Sequence, residues 1–156
     1  MEKFLQNLQE ADKIIRTIDH MFYVTFPLVK DKKLLLKIIL EAKTAIKHLI
    51  NSILQYEYLF KRATLYRDPK SNFKTFQQKC SKRYNISEQE ISLILELFDI
   101  AEKHKQSSFE FIKNNKVVIL SEDMSQKVLT VEKTKDFLNL AKGILQKTKQ
   151  TIKSQF

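Results

Sequence analysis

The chain has 156 residues and a mass of 18.5 kDa, enough for one domain with its own core. Lys and Arg number 28 against 18 Asp and Glu, a formal net charge of +10, and the 43% hydrophobic content is too high for a disordered chain. One glycine, two prolines and one cysteine exclude glycine-rich phosphate loops, a nucleophile elbow, a many-stranded sandwich or barrel, an intramolecular disulfide and multi-cysteine zinc sites.

The first segment, from about Lys3 to Tyr23, carries Phe4, Leu8, Ala11, Ile15, Ile18 and Phe22 at helical spacing, and Pro27 is expected to end it. No apolar run in it has the form of a secretory signal, and no stretch of the chain reaches the roughly 18 apolar residues of a bilayer span. With a lone cysteine, this places the expected compartment in the cytoplasm, with no membrane partner. Asp31 is positioned to cap a long second helix running to about Leu65. Its main stripe is Leu35, Ile38, Ala42, Ile46, Leu49, Ile53, Tyr56 and Phe60, flanked by Leu36, Leu40, Ile50, Leu54 and Tyr58. An apolar arc that wide needs several neighbours, so Leu36, Leu40 and Leu54 are interface candidates for a homodimer or a protein partner.

Asp68-Pro69 marks a turn, and a short helix places Phe73, Phe76 and Cys80 on one side. Ser87 and Glu90 form a capping-box pattern that starts a helix from about Glu88 to His104, expected to be the most buried of all. Ser107 and Glu110 repeat the pattern ahead of a brief helical turn over SFEFIKN. KVVIL (116–120) and KVLT (127–130) read as a small β-hairpin, although no Asn-Gly or Asp-Gly marks its turn. Thr130 caps a last helix from about Val131 to Ser154, striped by Thr134, Phe137, Ala141, Ile144, Leu145, Thr148 and Ile152. The fold expected is mainly α, an antiparallel bundle of about four main helices over 1–156 with a short helix and a β-hairpin insertion near 116–130.

Two basic features stand out. Residues 61–84 hold Lys61, Arg62, Arg67, Lys70, Lys74, Lys79, Lys82 and Arg83 against Asp68 alone, a net of +7, with Tyr66 and Tyr84 at the edges. Guanidinium forks grip phosphate and tyrosine rings stack on bases, which is the chemistry of a nucleic-acid surface. Residues 86–110 carry six acids against two lysines, so neutralisation across the bundle is the competing account. On the last helix Lys135, Lys142, Lys149 and Lys153 share a face, where cations near a helix C-terminus also favour the macrodipole. Lys outnumbers Arg 24 to 4 in a chain poor in Gly and Pro, a bias that an AT-rich coding sequence produces without any anionic partner.

Arg16 and His20 share a face of the first helix. The pair resembles the Arg-x(4–6)-His signature of the HEPN superfamily, with three intervening residues instead of four to six. That resemblance implies a small all-helical, metal-independent ribonuclease in which Arg16 holds the scissile phosphate and His20 is the base. A plain solvent-exposed pair accounts for the same two residues. The phrases HMFYVTFPLVKDKKLLL and YEYLFKR resemble small uncharacterised archaeal helical proteins, which brings no activity with it. His48 and His104 have no His or Glu partner at ligand spacing on their own helices, so neither a metal nor another cofactor is expected, and Cys80 reads as core. The leading expectation is a non-enzymatic module binding RNA or DNA phosphate. A protein-protein adaptor and the ribonuclease are the alternatives.

Overall fold

The structure, a computed structural model, describes residues 2–107, 109–121 and 125–153. The first helix, α1, spans Lys3–His20 and buries Phe4, Leu8, Ala11, Ile15 and Ile18, the expected stripe. Pro27 does not stop the chain. A π-helical turn over Met21–Thr25 leads into a short helix, α2 (Phe26–Val29), and Pro27 sits in its first turn, where a missing N–H costs nothing. Lys30, in the left-handed region at φ 57°, ends it by donating its N–H to the Phe26 carbonyl at 2.7 Å. Asp31 then accepts the Lys33 N–H at 3.0 Å, as a capping residue does.

Helix α3 covers Lys33–Leu59 and stops short of Leu65. Lys61 turns left-handed at φ 59°, and the Arg62 N–H reaches back to the Glu57 carbonyl at 2.9 Å, the closure a glycine usually makes. With its one glycine inside a helix, the chain makes its left-handed positions from Lys30, Lys61, Asn85, Asn114 and Asn115. The next helix, α4, spans Pro69–Thr75 and continues as a π-helical turn, Phe76–Cys80. Helix α5, Glu88–Gln106, begins with the full reciprocal capping box of Ser87 and Glu90.

Within the SFEFIKN segment, Phe109–Lys113 form a strand and not a helical turn, and Ser108 lies outside the described residues. Strand β1 (Phe109–Lys113) pairs antiparallel with β2 (Lys116–Leu120), and β2 pairs with β3 (Gln126–Leu129), so the expected hairpin is one half of a three-stranded sheet. The missed signal is Asn114-Asn115, a two-residue turn with φ of 52° and 61°, which are the positive angles that a type I′ hairpin demands. Glu110 instead faces His104, and its carboxylate makes a close hydrogen bond with the ring Nδ1. Residues 122–124 of the expected second turn lie outside the described residues. Thr130 accepts the Lys133 N–H at 3.0 Å to open helix α6, Val131–Lys153, whose expected stripe is buried throughout; Ser154 lies outside the described residues.

Contacts fix the directions. Asp12 and Asp19 of α1 meet Lys149 and Lys142 of α6, while Glu90 and Glu96 of α5 meet Lys147 and Lys133, so α6 runs antiparallel to both. The Ser52 hydroxyl donates to the Phe4 carbonyl at 2.7 Å, which sets the end of α3 beside the start of α1. The four long helices alternate in direction, and one continuous apolar cluster runs from Phe4 to Ile152. Helix α3, not α5, is the central element. It buries fourteen residues and packs on α1, α5, α6 and the 76–80 turn, whereas α5 buries five. Leu36 and Leu54, proposed above for an interface with another chain, are therefore covered by this chain itself, and Leu40 is half-buried. The sheet sits at the end of the bundle where α5 finishes and α6 begins; segment 60–86 caps the opposite end.

Candidate nucleic-acid interface

The capping segment is anchored by one carboxylate. Glu57, on the last turn of α3, is 1% exposed, and a buried charge demands partners. Its oxygens accept from Arg62 Nη2 at 2.7 Å and Nε at 3.2 Å, a bidentate fork, and from Arg83 Nε at 2.9 Å. The Tyr84 hydroxyl lies 3.4 Å from the same carboxylate. Two of the arginines expected to grip phosphate are thus occupied, and they tie residues 62 and 83 to the end of α3. Tyr84 is fully buried, so it cannot stack on a base; burial and the Glu57 carboxylate push its phenol pKa up. Cys80 is buried beside this cluster, and burial, with the Glu57 charge, pushes its thiol up to about 11, which keeps it protonated and unreactive.

The other cations of the segment are exposed. Among the described residues, Lys61, Arg67, Lys70, Lys74, Lys79 and Lys82 form no ion pair. The one acid among them, Asp68, is turned to the backbone: it accepts the Lys70 N–H at 3.1 Å and the Ser71 hydroxyl at 3.0 Å to start α4. These bonds, the backbone N–H first, hold its carboxyl below the usual range. Tyr66 is presented on a fixed backbone, because the Asn72 amide bridges both its N–H and its carbonyl at 2.8 Å. Its side chain is exposed, as are Tyr58, Leu59 and Phe60, the last with the Arg62 guanidinium 4.9 Å from its ring centre. Tyr58 and Phe60 were expected in the apolar arc of α3, but Tyr58, in its last turn, and Phe60, just past its end, are both exposed. Beside them, a cleft of about 730 Å³ runs between Tyr58, Leu59, Leu65 and the start of α1, with Glu2 and Lys3 on its far rim.

The lysines of α6 divide. Lys142 pairs with Asp19 and lies 5.1 Å from the Tyr23 ring centre, and Lys149 pairs with Asp12 at 3.1 Å. Both serve the packing of α1 on α6 and are withdrawn from the expected anion face. Lys135 and Lys153 are exposed and, among the described residues, unpaired. Asp12 also takes a fork from Arg16, both contacts at 3.2 Å, so the guanidinium of the ribonuclease-like pair is engaged by a carboxylate. His20 is exposed with no hydrogen bond among the described residues, on the opposite side of the molecule's length from segment 60–86. No group of three or more His, Cys, Asp or Glu side chains among the described residues is placed to hold a metal, and no helix of the described residues is long and apolar enough to cross a membrane.

Comparison with known protein families, with curated proteins and with solved structures finds no match to this chain.

Proposed function

We propose that the end of the bundle formed by residues 58–82 binds the phosphate backbone of a nucleic acid, as an interaction module and not as an enzyme. The observation that carries this reading is the contrast between two basic regions of one molecule. The cations of α6 are in large part spent on internal carboxylates, whereas Lys61, Arg67, Lys70, Lys74, Lys79 and Lys82 are left unquenched. Exposed rings of Tyr58, Phe60 and Tyr66 are interleaved with them, and cations alternating with aromatic faces suit a single strand better than a duplex. Contacts of this kind read charge and ring faces, so affinity is largely independent of sequence and falls steeply with salt.

Fluorescence anisotropy with labelled oligonucleotides tests it. Six neutralised phosphates on a single strand give a log–log salt slope of about −4. Replacing Lys61, Arg67, Lys70 and Lys74 with Ala should weaken binding to all sequences alike and flatten the slope by about 3. Absence of binding at about 50 mM salt, or an unchanged slope in the fourfold variant, overturns the reading.

A further inference from the structure

A second cleft, of about 560 Å³, opens between α3, α4 and α5. Its walls are apolar: Ile50 from α3, Phe73 from α4, and Leu95 and Phe98 from α5. The Phe73 and Phe98 rings meet edge to face with centres 6.0 Å apart, so the aromatic wall is held by packing. Two cations stand on its rim from different elements, Lys47 of α3 and Lys70 of α4, and neither forms an ion pair among the described residues. Of its two amides, Asn72 is committed to Tyr66, while Asn51 is exposed with no hydrogen bond among the described residues. Lys70 belongs both to this rim and to the unquenched row described above.

We propose that this cleft takes one base of a single-stranded nucleic acid whose phosphates lie on Lys47 and Lys70. The proposal rests on the phosphate-binding reading of segment 58–82 and extends it from backbone to base. The chemistry selects the occupant. An apolar peptide or acyl chain would fill the walls but leave two ammonium groups unmatched. A free phosphate would match the ammonium groups and leave the aromatic wall unused. A nucleotide unit presents a flat ring joined to an anion, with an edge that an amide such as Asn51 meets by donating and accepting at once. The volume falls within the range of about 300–1,000 Å³ usual for small-molecule sites.

Two variants carry the test, Leu95→Glu and Asn51→Glu, both at exposed positions where a carboxylate is tolerated by the fold. Each is titrated by anisotropy against an oligouridylate 12-mer and against a 12-base-pair duplex, in which every base is stacked and paired. For the parent chain, the strand should bind at least fivefold more tightly than the duplex. Each variant should lose about tenfold on the strand, as for one stacked base, and less than twofold on the duplex. Equal losses on both substrates, or none on either, would overturn the cleft while leaving the phosphate surface standing. Failure of the parent to bind either substrate would overturn both.

Discussion

Glu57 shows how a single buried side chain decides the fate of distant ones. Its carboxylate is almost fully covered, whereas Arg62 and Arg83 keep 28% and 41% of their side chains exposed. Removing the acid lets two partly hydrated guanidinium groups turn to water. Removing both arginines leaves a charge in the interior with only Tyr84 beside it. The double variant Arg62→Ala, Arg83→Ala should therefore cost about 3–5 kcal/mol in urea unfolding, and Glu57→Gln clearly less. The reverse order would show that the carboxylate is hydrated and the cluster incidental. The cluster was not legible in the sequence, where Arg62 and Arg83 have the same neighbours as any exposed arginine. A faint signal existed in Glu57 itself, an acid placed between Tyr56 and Tyr58 in the last turn of the helix.

Among the helices, the caps and stripes were legible because they are local. The Ser87–Glu90 box, the Thr130 cap and all seven stripe positions of α6 form as their spacing predicts. Strand β1 was missed because a capping pattern at Ser107 and Glu110 outweighed the alternation in FEFIK and the turn chemistry of Asn114-Asn115. Gly143, the one glycine of the chain, is half-buried on α6; a Cβ there would meet Glu90 Oε2 at 3.9 Å, an ordinary contact. Gly143→Ala should accordingly raise stability by about 0.5–1 kcal/mol in thermal or urea unfolding, and a loss would mean that α6 uses this glycine to approach α5 closely.

Acids of α1 and α5 that pair with α6 set an acid limit. Burial raises the pKa of Asp12, but Lys149 and Arg16 outweigh it; burial raises that of Glu90, but Lys147 and the Ser87 N–H outweigh it, so both carboxyls end below their ordinary 3.8 and 4.5. Carboxyls lowered by folding contribute stability that is complete above those ordinary values and lost as pH falls through the lower folded ones. Melting temperature should drop on acidification below about pH 4.5, and Asp12→Asn should flatten that drop.

Across the whole molecule, a net charge of +10 is distributed by packing and not by sequence order. Carboxylates of α1 and α5 neutralise one side of α6, whereas Lys61, Arg67, Lys70, Lys74, Lys79 and Lys82 form no ion pair among the described residues. Lys142→Gln with Lys149→Gln should therefore lower the melting temperature while leaving nucleic-acid affinity within twofold. Arg67→Ala should do the opposite, being exposed and unpaired. A large affinity loss in the Lys142, Lys149 variant would return α6 to the binding face and require the surface to be redrawn.

Composition and helical periodicity by themselves determined that this chain folds as an α-helical bundle with a small β insertion, which stripe of each long helix faces inward, and where several helices begin. Those properties depend on residues three or four apart. Only the tertiary structure decided which cations stay available, which half of the wide apolar arc of α3 is covered, and that Phe73, Leu95 and Phe98 share a cleft with Lys47. Such relations depend on the offset and rotation of packed helices; Asp12 and Lys149 meet across 137 positions, a distance over which no periodic pattern carries information.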